Sequence, residues 1–483
     1  MSYIASHRMQ ATCLPPVIDD YVGTDDPVRV YDAFIDALDL TALGILVESK
    51  PGADEYHPAA LLKLLIYGYS YGVRSSRKLE RACYHNLSFQ WLLGGLKPDY
   101  RTIARFRIRY KEQIKKVLKQ CVRICMDLDL VDGNVLFTDG SKFRANASIN
   151  NTRTKEKCER ALQRLDETVD RLLAECEQID EQEEGSPSLV KMRQKITDKE
   201  RLFSKIQASL EAIKENGITS LNSTDEESVK AKTRQGTHAC YNVQVNVDAK
   251  NGLIVHSEAI SDCNDYNHLN EQVQRASENL GRQPNSVCAD SGYSSIHDLK
   301  DIDAKIQVIV PNQEVLVKER TKNQNQFGKN NFTYDEVIDE YTCPTGIRLK
   351  LYKANEQKHG KHLKRYRVKV YKAEAQACRR CPNFGICTVN KSGRTIERSF
   401  HEKTQERILA NYASLQGQEI YKLRKEKTEH IFGHMKRNLS AGQFMLRGKD
   451  KVDTEVAILS TCFNLARLMT IVGIPKLLEN LAA

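Results

Sequence analysis

Residues 241–260, YNVQVNVDAKNGLIVHSEAI, constrain the fold of this chain more than any other segment. Polar and apolar residues alternate on either side of Asn251-Gly252. Alternation of period two sends successive side chains to opposite faces of a strand, and Asn-Gly takes the positive backbone angles of a hairpin turn at little cost. An antiparallel β-hairpin is therefore expected. A helical stretch, HLNEQVQRASENL, follows, then two short apolar runs: SVCAD, ending at Asp290, and IQVIVP over residues 306–311. Upstream, NVLFTD over 134–139 is another apolar run that places Val135, Phe137 and Asp139 on one side of a strand. Strand, hairpin, helix and strand in this order give an α/β chain with a mixed sheet.

Two interruptions divide that pattern. Leu162, Leu165, Val169, Leu172, Cys176 and Ile179 recur in steps of three and four, and so do Met192, Ile196, Lys199, Phe203, Ile206, Leu210 and Ile213 after a break at Gly185-Ser186-Pro187. That spacing predicts a coiled-coil helical hairpin over 151–224, its stripe used for packing and its flanking charges solvated. Residues 316–415 form a second insertion, polar, basic and rich in tyrosine. Residues 1–130 read as a helical N-terminal domain. Pro58 opens one helix there, and Asp99 or Thr102 caps another bearing Arg101, Arg105, Arg107 and Arg109. This basic helix is either the DNA-reading member of a helix-turn-helix or an amphipathic helix with a solvated face. Residues 416–483 are helical again, with a bend around Gly442 and Gly448. The sheet domain is thus assembled from 131–150, 225–315 and 416–483.

A chain of 483 residues needs more than one core. No run of about 20 apolar residues stands out as a membrane span, and the acidic first thirty residues lack the start of a secretion signal, so a cytoplasmic protein is expected. Lysine and arginine, 73 against 63 acidic residues, leave a net charge of +10, a modest attraction for polyanions. Most of the 14 cysteines are scattered singly in apolar segments and read as small buried hydrophobes. Cys343, Cys378, Cys381 and Cys387 are the exception. Their spacing, with Cys378 and Cys381 two residues apart, suits either a closed structural zinc site or reduced thiols in a small insertion, with His401 an alternative ligand.

Three acids carry the candidate chemistry. Asp139 and Asp290 each end an apolar strand, where a carboxylate projects into the crevice in which α/β sheets place ligands. Each is equally a residue that starts a turn. Glu429 lies in EIYKLRKEKTEHIFGHMKRNL, where helical geometry puts it on one face with Lys425 and Lys436: a carboxylate for a metal ion among cations for phosphate, or else a salt-bridged surface helix. Asp262, Asp265 and His268 form a further polar cluster, with Asp265 suited to capping the following helix.

TDGSKFRANAS, CADSGYSS and YKLRKEKTEHIFGHMKRNL, in this order, resemble the DDE transposases of bacterial insertion sequences. The resemblance extends over essentially the whole chain. It implies a ribonuclease-H-like mixed sheet flanked by helices, with Asp139, Asp290 and Glu429 as an acidic triad holding two Mg²⁺ or Mn²⁺ ions. It also implies a tyrosine-arginine-glutamate-lysine signature on the last catalytic helix, here Tyr421, Arg424, Glu429 and Lys436. Lys425, Arg437, Arg105 and Arg107 join these as expected DNA contacts. The implied activity is hydrolysis at the terminal inverted repeats of an element, then strand transfer into target DNA by a homodimeric synaptic complex. An inactive DNA-binding protein, or a nuclease without strand transfer, would use the same fold.

Two departures matter. Four residues separate Arg424 from Glu429 where the signature has three, which leaves Lys425 as the alternative basic member and Glu426 as a competing acid about 80° around the helix from Lys436. Hairpin-forming relatives also place a tryptophan before the last catalytic helix, whereas the only tryptophan here is Trp91.

Overall fold

The computed structural model describes residues 17–45, 55–180, 187–215, 217–312, 315–316, 326–359 and 365–482. They divide into two compact units. Residues 1–265, 271–285 and 423–483 form the first, and 266–270 with 286–422 form the second.

In the first unit, Pro58 opens helix α1 (Pro58–Ser70), where its missing N–H costs nothing. Asp99 caps α2 (Tyr100–Arg109) by accepting from the N–H groups of Arg101 and Thr102 at 2.7 and 3.0 Å. The next helix, α3 (Lys111–Asp127), buries Ile114, Val117, Leu118, Cys121 and Cys125, the stripe that a 3.6-residue period gives. The solvated face of α2 carries Arg101, Arg105 and Arg109, as a basic face would, but not Arg107. Arg107 is buried and donates to the Tyr69 hydroxyl at 2.7 Å and the Arg74 carbonyl at 3.3 Å, while Ile108 is exposed.

The strands of this unit are β1 (Val135–Arg144), β2 (Thr152–Thr154), β3 (Ser220–Asn222), β4 (Val229–Thr233), β5 (Gly236–Asp248) and β6 (Ile254–Ile260). β5 is the spine. β1 runs antiparallel along one edge, from Leu136 opposite Asp248 to Arg144 opposite Cys240, and β4 and β6 pair with the other edge. The expected hairpin is present, with Gly252 at φ 69° in its turn. Both faces of β5 are covered. Tyr241, Val243, Val245 and Val247 lie on one; Asn242, Gln244, Asn246 and Asp248 are buried on the other. Such a polar face is stable only if satisfied: Thr138 donates to Asn246 at 2.6 Å, and the Gly133 N–H donates to Asp248 at 2.8 Å.

Two long helices, α4 (Lys155–Asp180) and α5 (Pro187–Glu215), form the expected helical hairpin, its base closed by β2 pairing with β3. Leu165, Ile206, Leu210 and Ile213 of the sequence-read stripe are buried there, joined by Cys158. Cys176, Ile179 and Met192 lie outside the described side chains.

After α6 (Leu269–Leu280), the C-terminal part of the first unit contains most of α7 (Leu415–Arg437), then α8 (Lys449–Val472) and a short helix over Ile474–Ala482. Contrary to expectation, α8 is long and apolar enough to cross a membrane by composition. It is instead mostly buried, and its polar residues are spent on β6. Asn464 accepts from the Ile254 N–H at 2.8 Å and Asp453 from the Ala259 N–H at 2.7 Å. Glu455, fully buried on the same helix, meets Arg74 at 2.8 Å and accepts from the N–H groups of Met445 and Leu446.

The second unit contains β7 (Ser286–Ala289) and β8 (Gln307–Ile309), which pair in parallel. It also contains β9 (Thr333–Asp335), β10 (Glu340–Thr342), β11 (Arg348–His359), β12 (Arg365–Ala373) and β13 (Thr395–Ser399), an antiparallel sheet in the order β13-β12-β11-β10-β9. Phe332, Tyr341, Leu349, Tyr371 and Ile396 build its core. The chain is therefore α/β, with both parallel and antiparallel pairing.

Replacing Arg74 with methionine leaves the Glu455 carboxylate buried without its cation. Chemical denaturation should show a loss of about 3–5 kcal/mol.

Candidate active site

Asp139 does not end its strand. β1 continues for five residues beyond it, because β5 is long enough to pair with Gly140 through Arg144. Opposite Val245, Asp139 shares a face with Phe137, Ser141 and Phe143. Gly140 points to the other face, where a Cβ would come within 2.4 Å of Asp265 Oδ1 and 2.5 Å of Gln244 Nε2. Glycine is required there by close approach. Asp265 accepts from Asn242 at 2.8 Å and Gln244 at 2.7 Å, so its carboxylate is held against the polar face of β5 rather than serving as the cap of α6. It therefore lies on the face opposite to Asp139.

The Asp139 carboxylate is held between strand and helix. Its Oδ1 accepts from the Gly140 N–H at 2.9 Å, and its Oδ2 accepts from the Thr428 hydroxyl at 2.8 Å. The buried Arg424 guanidinium stands 3.5 Å from Oδ2. Arg424, Thr428, Ile431 and Met435 of α7 follow steps of four, three and four and are all buried, so this is the inward stripe of the helix. Arg424 thus engages Asp139 and does not project to solvent.

Lys436 is half-buried. It donates to the Ser141 hydroxyl at 2.6 Å and lies 4.5 Å above the Phe143 ring, and burial pushes its ammonium pKa down. Glu429 sits one residue beyond Thr428, which turns it about 100° away to the exposed rim. The Glu429 side chain makes no hydrogen bond or ion pair among the described residues. Lys425 and Arg437 are exposed as well.

Asp290 belongs to the second unit. There it follows β7 directly, as expected, and accepts from the Gly292 N–H at 2.8 Å to cap a single helical turn. In the same unit the Tyr421 ring meets Tyr412 edge-on at 5.1 Å. Cys343, Cys378, Cys381 and Cys387 line one cavity. Backbone N–H groups of Ile347 and Arg394 approach Cys343 and Cys378 sulfur at 3.2 and 3.4 Å, and the Thr345 hydroxyl stands between Cys343 and Cys381 at 3.0 and 3.7 Å. Among the described residues, no group of three or more His, Cys, Asp or Glu is arranged to hold a metal ion.

Residues 16–109 match a sequence family described as Transposase domain (DUF772), and residues 342–469 match one described as Transposase DDE domain. Both matches support an insertion-sequence DDE transposase. No curated protein and no solved structure matches it. The second matched range contains Glu429 and all four clustered cysteines; Asp139 and Asp290 lie outside both ranges. DNA is the partner implied for the transposase by its family, and divalent metal ions are typical of that family.

Sequence reasoning missed Thr428, Ser141 and Gly140. The signal for Thr428 was present: it lies four residues after Arg424 in a stripe otherwise completed by Ile431 and Met435, and a polar group on an inward stripe needs a partner. Ser141 follows Asp139 by two residues, so strand alternation puts it on the same face.

Proposed function

We propose that this transposase hydrolyses DNA at the terminal inverted repeats of its element and joins the freed ends to target DNA. Asp139, Asp290 and Glu429 are the acids assigned to hold two Mg²⁺ or Mn²⁺ ions. The observation that carries the reading is the seat of Asp139: a strand carboxylate faced by the buried Arg424 and Thr428 of a helix whose next residue is Glu429, exposed and without a side-chain partner among the described residues. The antiparallel pairing of β1 with the β5–β6 hairpin supports a ribonuclease-H-like catalytic domain. Asp290 enters through the resemblance of CADSGYSS and through its position at the end of β7.

Carboxylate oxygens are hard donors, suited to Mg²⁺ and Mn²⁺ rather than to softer ions. Bound there, a pair of such ions would neutralise phosphate charge and acidify water. Arg424 balances the Asp139 charge without a cation, so loading the site relieves that guanidinium of its role. Lys425 and Arg437, exposed on the same helix, are placed to bind backbone phosphates, with Tyr421 and the N-terminal Arg105 as further contacts. In the first step water adds to phosphorus, the bond to the 3′ oxygen breaks, and a 3′-hydroxyl and a 5′-phosphate result. In the second, that hydroxyl attacks a target phosphodiester and displaces its 3′ oxygen. One bond forms and one breaks, so no external energy source is needed. A homodimer would present one site to each end.

A separate structural zinc at the four-cysteine cavity is part of this reading: thiolates are soft ligands and all four line one cavity, although they do not stand as a ready ligand group and would have to close on the ion.

With a labelled element end and Mg²⁺, Asp139→Asn and Glu429→Gln should each lower cleavage by at least about 100-fold while DNA binding persists. Cleavage by either variant at the wild-type rate would remove that residue from the assignment, and cleavage without joining would leave a nuclease. Metal analysis of the purified protein should find about one zinc per chain, lost on Cys378→Ser; a folded protein free of zinc contradicts that site.

A further inference from the structure

The helical hairpin carries a feature that its packing stripe does not require. Arg153, Lys157, Arg160 and Arg164 line one cleft at its base, above Leu202 and Ile206. Lys157, Arg160 and Arg164 are spaced three and four along α4, which brings them to a single face, and Arg153 joins them from β2. Lys157, Arg160 and Arg164 are exposed and Arg153 is half-buried. None of the four makes an ion pair among the described residues. Glu156, the acid of the first turn, accepts from the Thr154 hydroxyl at 2.7 Å.

Charge along α4 is uneven. Lys155, Lys157, Arg160 and Arg164 outnumber Glu156 and Glu159 in its first ten residues, whereas Asp166, Glu167, Asp170 and Glu175 follow with only Arg171 among them. A coiled coil that needs only a solvated face gains most from opposite charges interleaved at three and four residues, and the basic end here also opposes the helix dipole. Cations lining one cleft repel each other until a polyanion enters.

We propose that this basal cleft grips the phosphate backbone of duplex DNA. The proposal rests on the transposase reading and adds a contact outside the catalytic carboxylates. From Lys157 to Arg164 the helical face extends about 10 Å, a length over which duplex DNA presents about six charges. Guanidinium and ammonium groups alike donate to phosphate oxygens, and the contact is assigned to positioning the DNA backbone rather than to reading its bases. Leu202, exposed at 37%, and Ile206 give the sugar edge an apolar floor.

The test is the salt dependence of binding of the full-length protein to a mixed-sequence duplex, with all four residues changed to glutamine. Each lost phosphate contact lowers the slope of log affinity against log salt by about 0.9. The expected change is about 2 or more, while a set with Arg153, Arg160 and Arg164 changed to lysine keeps the wild-type slope. The glutamine variant should still cleave an element end at low salt and saturating protein, which shows that it folds. An unchanged slope overturns the proposal. So does an unchanged slope with lost self-association on sedimentation, which would assign the cleft to the acidic stretch of a second copy. Failure of the wild type itself to bind any duplex would overturn the transposase reading instead.

Discussion

The buried ion pair between Arg74 and Glu455 fixes the part of the first unit on which its chemistry depends. Arg74 does more than meet one carboxylate: it also donates to the carbonyls of Ser440 and Gln443 at 2.6 and 2.7 Å. Those carbonyls belong to the segment joining α7 to α8, which also bonds to the far end of β1 through the Phe444 N–H and the Arg144 carbonyl at 2.8 Å. One guanidinium thereby ties the N-terminal helices, the core helix α8 and the loop that sets where α7 leaves the sheet. Burial pushes the Glu455 carboxyl pKa up, and Arg74 and Arg107 oppose that shift. Arg107 belongs to this network through Tyr69 and the Arg74 carbonyl, which explains why it is not on the solvent face.

That anchoring has a consequence at Asp139. The stripe of α7 reaches Asp139 only if the helix keeps its register over β1, and Lys436 and Phe432 hold it there against Ser141 and Phe143. The opposite face of the sheet is arranged differently. Asp265 packs over Gly140 and is satisfied by Asn242 and Gln244, so it belongs to the polar core while Asp139 belongs to the helix-facing site. Two acids near one another in space are separated by one alternation of the strand.

What could be read from the sequence follows the range of the interactions involved. The hairpin around Gly252, the cap at Asp99, the helical insertion and the strand before Asp290 all depend on local patterns, and all are present. The end of β1 was misplaced because GSKFR lacks an apolar run; its extension depends on a partner strand a hundred residues away. Arg107 was misassigned because a basic residue defaults to solvent unless a distant Tyr69 claims it. The five-stranded sheet was obscured by lysines and arginines, although Leu349, Val368 and Val370 are buried. For the site, residue type and order pointed to Asp139, but its engagement by Thr428 and Arg424 requires knowing which face of α7 turns inward.

The most direct measurement of the central claim is anomalous diffraction from crystals of the protein–DNA complex grown with Mn²⁺. The account predicts a manganese peak about 2.1 Å from an Asp139 carboxylate oxygen, with the Arg424 guanidinium no longer against it. Manganese bound elsewhere, with Asp139 still held by Arg424 and Thr428, would contradict it.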